Sequence, residues 1–123
     1  VLKQLHSGGI GTAIIDAIRC RYPELKGMIL EVEPVNPLDP QTVRRAAFYK
    51  KCGLYQVDVN YLMPAPDKKT VPMDVWFLNS SSFSGTISPE EVKGAIRKMS
   101  PYIYEVFEES MRKSLDSLDS ARS

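Results

Sequence analysis

A chain of 123 residues has the length of one domain, and 43% hydrophobic with 25% charged residues is the mixture of a soluble globular protein, not a disordered one. A formal charge of +1 supplies no field suited to nucleic acid. No apolar run is long enough to cross a bilayer or to form a secretion signal, so a cytoplasmic protein with no nucleic-acid or membrane partner is expected. With a single histidine, and with Cys20 and Cys52 fitting no spaced ligand pattern, no metal site is expected and the cysteines read as reduced thiols.

In chain order, the first informative stretch is Leu5-His6-Ser7-Gly8-Gly9-Ile10-Gly11-Thr12. Ile10, Ala13, Ile14, Ala17 and Ile18 follow at helical spacing, predicting a helix over 9–21 that ends before Pro23. Glycines at a helix start permit left-handed backbone and close approach, and the unpaired N–H groups and positive dipole end there suit a phosphate or pyrophosphate. An ordinary tight turn has the same local pattern. No Gly-Lys-Ser/Thr follows for a nucleotide-triphosphate loop, and the third glycine of a dinucleotide fingerprint is missing. A phosphate loop normally follows a strand, and only Val1 to Leu5 precedes this one; the expectation is a chain whose start has been removed or whose strand comes from elsewhere.

Residues 28–35 are apolar and β-branched enough to form a strand, with Ile29, Glu31, Glu33 and Val35 on one face and Leu30 and Val32 on the other. Glu31 and Glu33 are a candidate acid/base pair, or the solvated half of a sheet face. Asp39 caps the next helix, Pro40 occupies its first turn and Gly53 stops it after Cys52. Arg44, Arg45, Lys50 and Lys51 on this helix suit either phosphates or a solvated basic face. Alternation predicts a strand over 54–63, and Val75-Trp76-Phe77-Leu78 ends a second strand over 71–78 that is apolar on both faces and therefore interior, the first lying nearer the edge. A Ser/Gly linker precedes a helix from the capping-box spacing Ser88-Pro89-Glu90-Glu91 to Met99; Ser100-Pro101 begins another, whose apolar stripe packs on this sheet or on a second copy. The fold class is α/β, divided as a half-domain over 1–79, a linker over 80–87 and a helical extension over 88–123.

These segments together resemble the C-terminal half of the GNAT superfamily of acyl-CoA-dependent N-acetyltransferases. The likeness covers residues 6–78. The family's coenzyme loop, R/Q-x-x-G-x-G/A, is matched by His6-Ser7-Gly8-Gly9-Ile10-Gly11, with histidine where the family has arginine or glutamine. Its second signature is matched by Ala47-Phe48-Tyr49-Lys50-Lys51-Cys52-Gly53-Leu54. The resemblance implies a partial mixed sheet in the order helix-strand-helix-strand-strand, with two extra C-terminal helices, and strands that splay around acetyl-CoA as cosubstrate. His6, Gly8, Gly9, Ile10, Gly11 and Thr12 would then hold the pyrophosphate, Phe48 and Tyr49 the pantetheine and thiol, Asn36 the pantetheine and Lys51 the nucleotide phosphates.

The implied activity is transfer of an acetyl group to a primary amine by direct attack. Glu31 or Glu33 is the candidate base, since an alkylammonium with pKa of about 10.4 must lose a proton first. Tyr49 is the candidate proton donor to the departing thiolate. The family's N-terminal strands, which build most of the amine pocket, have no counterpart, so a truncated enzyme is expected; small amines, an amino acid, an antibiotic and a protein N-terminus stay open as acceptors. The alternative is a non-catalytic acyl-CoA-binding or protein-interaction module. An uncovered sheet edge beside the loop implies a homo-oligomer, such as a dimer.

Overall fold

Helix α1 (Ile10–Arg21) starts at Gly9, whose φ of 77° is a left-handed value that any side chain would strain, and stops at Tyr22 ahead of Pro23. The computed structural model describes residues 9–64, 70–104 and 108–119, so His6 and Gly8 lie outside the described residues. Strand β1 (Gly27–Val32) follows, three residues shorter at its end than the expected 28–35. Its register with the strand it pairs to supplies the reason. Val32 lies opposite Asp74, so two further steps would set Pro34 against Pro72, and neither has an N–H to donate.

Helix α2 (Pro40–Lys51) is capped as its sequence predicts: the Asp39 carboxylate accepts from the Gln41 N–H at 3.1 Å, and Pro40 takes the first turn. Arg19 of α1 donates to the Cys52 carbonyl at 2.6 Å, placing a cation at the negative end of α2 and tying the two helices together. Strands β2 (Tyr55–Pro64) and β3 (Thr70–Asn79) pair antiparallel, and β3 pairs antiparallel with β1 on its other side, giving the order β1-β3-β2. The interior position of β3 and the edge position of β2 follow the expectation from composition. Among the described residues the sheet is antiparallel throughout, which corrects the expected mixed sheet. Its β1 neighbour is met only after α2 and β2 have intervened, and β3 arrives running the opposite way.

The architecture is α/β: four helices and this sheet among the described residues. Leu30, Val32, Trp76 and Leu78 on one sheet face pack with Ile15 and Ile18 of α1 and with Ala46, Phe48, Tyr49 and Cys52 at α2. The opposite face presents Ile29, Val57, Val59, Tyr61, Val75 and Phe77 to helices α3 (Pro89–Tyr104) and α4 (Glu108–Leu118), which contribute Val92, Ile96, Leu115 and Leu118. The C-terminal helices thus cover this chain's own sheet.

Helix α3 begins with the expected box, the Glu91 N–H donating to Ser88 Oγ at 3.1 Å. Lys26, 2.7 Å from Glu91, hydrogen-bonds that carboxylate and holds it below the usual carboxylate range. Contrary to the expected break at Ser100-Pro101, α3 runs through Pro101 to Tyr104. A proline there removes one hydrogen bond, the one its N–H would make to the carbonyl of Arg97, and the rest of the helix holds without it. No helix among the described residues is long and apolar enough to cross a membrane.

Gly27 is where the fold tolerates least. A Cβ built on it would lie 2.0 Å from the Leu78 carbonyl oxygen and 2.7 Å from the Phe77 ring, whereas one built on Gly94 in α3 meets nothing within 4 Å. Gly27→Ala is therefore expected to lower unfolding stability by about 1–3 kcal/mol through overpacking, while Gly94→Ala raises it by up to about 1 kcal/mol through helix propensity. Urea midpoints of the two variants, which should move in opposite directions, check this.

Candidate functional site

The end of β1 is where groups from both sheet faces come together. Glu31 points to the α3/α4 side, and across β3 the Tyr61 hydroxyl donates to its Oε1 at 3.0 Å. Tyr61 is 4% exposed. Burial foremost, then the charge of Glu31 and the hydrogen bond to it, push the Tyr61 phenol well above its usual range. It is therefore held as a donor, fixing one carboxylate oxygen of Glu31 and leaving the other without a partner among the described residues. Glu33, one residue beyond the strand, is exposed.

From the other face, Arg45 and Tyr49 stand one turn apart on α2, a spacing that puts both on the same side of the helix. They join Glu31, Val32, Glu33 and Met73 around a depression of about 270 Å³ that opens to solvent. Tyr49 is held by aromatic neighbours, its ring centroid 5.8 Å from that of Trp76 and 6.1 Å from that of Phe48. Phe48 in turn lies against the first turn of α1: a Cβ on Gly11 would approach its Cζ to 3.0 Å. The two sequence signatures are thus in direct contact.

The expected site residues divide accordingly. Tyr49, Glu31 and Glu33 share one depression; Gly9, Ile10, Gly11 and Thr12 form the start of α1, with Phe48 packed on Gly11. The space beside Gly9 is open, since a Cβ there would meet no atom within 4 Å. Thr12 Oγ1 lies 3.9 Å from Cys52 Sγ, so its hydroxyl is turned toward the end of α2. Asn36 uses its side-chain oxygen to accept from the Leu38 N–H at 3.0 Å, shaping the loop ahead of α2. Lys51 is exposed on the last turn of α2, and neither it nor Asn36 lines the depression.

Four participants were not nominated for this depression from the sequence: Val32, Arg45, Tyr61 and Met73. Val32, next to Glu31, and Arg45, read only as a phosphate contact or a solvated face but four residues before Tyr49 on one helix, had usable signals. Tyr61 and Met73 had none, because only strand pairing brings them to Glu31. Compared with family models, curated proteins and solved structures, the chain matches none.

The Tyr61 phenol makes stability depend on pH at the alkaline end. Because the folded state binds this proton more tightly than the unfolded one, whose phenol titrates near 10, the contribution is whole below about pH 10 and is lost as pH rises beyond it. Tyr61→Phe should accordingly show a shallower fall of the urea midpoint between about pH 9 and about pH 11 than the parent protein. Parallel slopes would assign the alkaline loss to other groups.

Proposed function

We propose that this chain is the coenzyme-binding half of a GNAT-type N-acetyltransferase that moves an acetyl group from acetyl-CoA to a primary amine. What carries the proposal is the contact between the two signatures: Phe48 rests on Gly11 at the start of α1, and its neighbour Tyr49 lines the depression that also holds Glu31 and Glu33. An anion site and a proton-handling site are thereby linked through two adjacent aromatic residues.

The residues suit the cosubstrate. The left-handed Gly9 has open space beside it at the positive end of α1, where the first amides would meet a diphosphate. His6, Gly8, Ile10, Thr12 and Lys51 would add to the phosphate contacts, and Asn36 and Phe48 to the pantetheine contacts. Acetyl-CoA supplies the activated acyl group as a thioester. Glu31 or Glu33 takes the proton that an ammonium must lose before its nitrogen attacks, and Tyr49 returns a proton to the sulfur that leaves. Tyr61 holds Glu31 in place for this role. The outer edge of β1, unpaired among the described residues, is the natural seat for a further strand, from the same chain or another copy.

Titration with acetyl-CoA tests the proposal. Trp76 is the chain's only tryptophan and packs on Tyr49, so its fluorescence should change on binding. At roughly hundredfold excess over Kd the melting point should rise by the equivalent of about 2.7 kcal/mol, and Gly9→Val should abolish both responses. Neither response in the parent protein would refute coenzyme binding. Binding without acetylation of any amine by a strand-completed protein, unaltered by Tyr49→Phe, would instead mark a non-catalytic acyl-CoA-binding module.

A further inference from the structure

The charges around the depression are mixed in sign and kept apart. Arg45 is half-buried, yet none of its nitrogens lies within 4.0 Å of a carboxylate oxygen of Glu31 or Glu33, although all three line the same space. Among the described residues the Arg45 side chain has no hydrogen-bond or ion-pair partner, and the Glu33 side chain has none either; Glu31 is engaged on one oxygen only, by Tyr61. A guanidinium facing two carboxylates across open space, without collapsing onto them, leaves a positive and a negative pole that one ligand can bridge.

We infer that this depression binds a small zwitterion of the amino-acid type, its carboxylate on Arg45 and its ammonium between Glu31 and Glu33. As the acyl acceptor of the enzyme, this assignment rests on the N-acetyltransferase proposal; as a binding site, it stands alone. A plain monoamine would satisfy the glutamates but leave the guanidinium unneutralised. A plain carboxylate meets the reverse difficulty at the two glutamates. Arginine offers a carboxylate two parallel N–H donors, which fixes orientation as well as charge. Its place one helical turn, about 5.4 Å, from Tyr49 sets the carboxylate end of the ligand beside the amine end's reaction partners.

Size agrees with this class. A space of about 270 Å³ is room for a free amino acid. Val32 and Met73 supply the apolar part of the wall, where a short aliphatic or aromatic side chain would rest.

The test compares ligands that differ by one charged group. Alanine, ethylamine and propionate form one such trio; phenylalanine, phenethylamine and 3-phenylpropionate form another. Binding is read on the parent protein from Trp76 fluorescence and from NMR shifts of the Arg45 Nε–H. In at least one trio the amino acid should bind about tenfold or more tightly than either partial ligand, since a charge-assisted hydrogen bond is lost in each. Arg45→Gln should reduce the amino acid to the level of its amine while leaving acetyl-CoA affinity unchanged. Equal affinities within both trios, or no binding of either amino acid, overturn the inference. So does an Arg45→Gln protein that loses acetyl-CoA and keeps the amino acid, which would make Arg45 a coenzyme ligand. Acetyl-CoA titrated separately distinguishes failure of this inference from failure of the enzymatic proposal: coenzyme binding with no amino-acid preference sinks only the first.

Discussion

Strand β3 is the member on which the positions of all the others depend, because its residues alternate between two cores. Val75 and Phe77 are buried under α3 and α4, Trp76 and Leu78 under α1 and α2, and Val75 has no exposed surface at all. Burying a side chain of this kind stabilises by about 1.5–3 kcal/mol, so neither face can be turned outward without losing several such contributions. A slip of one residue would exchange the two faces of β1 or β2. The register Glu31 opposite Val75 is therefore held by apolar packing that Glu31 itself takes no part in.

The hydrogen bond between Tyr61 and Glu31 needs one thing more. On β2 the pairing passes from Val57 opposite Val75 to Tyr61 opposite Met73, four residues on one strand against two on the other. The shift is even, so Val57, Val59 and Tyr61 keep to the same face, and it advances Tyr61 by two residues along β3. At about 3.4 Å per residue an unbulged strand would leave Tyr61 some 6.8 Å further from the level of Glu31, beyond the reach of its hydroxyl. Helix α4 packs where this happens: Ser117 Oγ donates to the Asn60 carbonyl at 3.0 Å. The C-terminal helices thus do more than cover the sheet. They support the irregularity that brings a phenol to the carboxylate.

How far this was legible in the sequence follows from the range of the interactions involved. The cap at Asp39, the stop at Gly53 and the box at Ser88 are settled within a few residues of themselves, and each was readable. The interior place of β3 was readable too, since only a doubly covered strand carries Val75-Trp76-Phe77-Leu78. Glu31 and Glu33 were nominated from their types and spacing and Tyr49 through the family resemblance, and the structure gathers them into one depression. The bulge, the reach of Tyr61 and the all-antiparallel pairing depend on partners tens of residues away, for which no local pattern exists. Pro101 misled for the opposite reason: its local preference for a helix start is real, and α3 overrides it.

Groups from both sheet faces meet at that end of β1 only because the strand is short. Glu31 belongs to the face that α3 and α4 cover, whereas Tyr49 and Arg45 belong to α2 on the other face, and a continuous sheet would hold them apart. Pairing stops at Val32, since the next hydrogen-bonded positions would oppose Pro34 and Pro72, and β1 is an edge strand among the described residues. Past that point no backbone ladder separates the faces, and side chains from both reach the same space. Two prolines that the sequence reading placed inside strands are thus what allows a carboxylate, a guanidinium and a phenol from opposite sides of the sheet to line one depression.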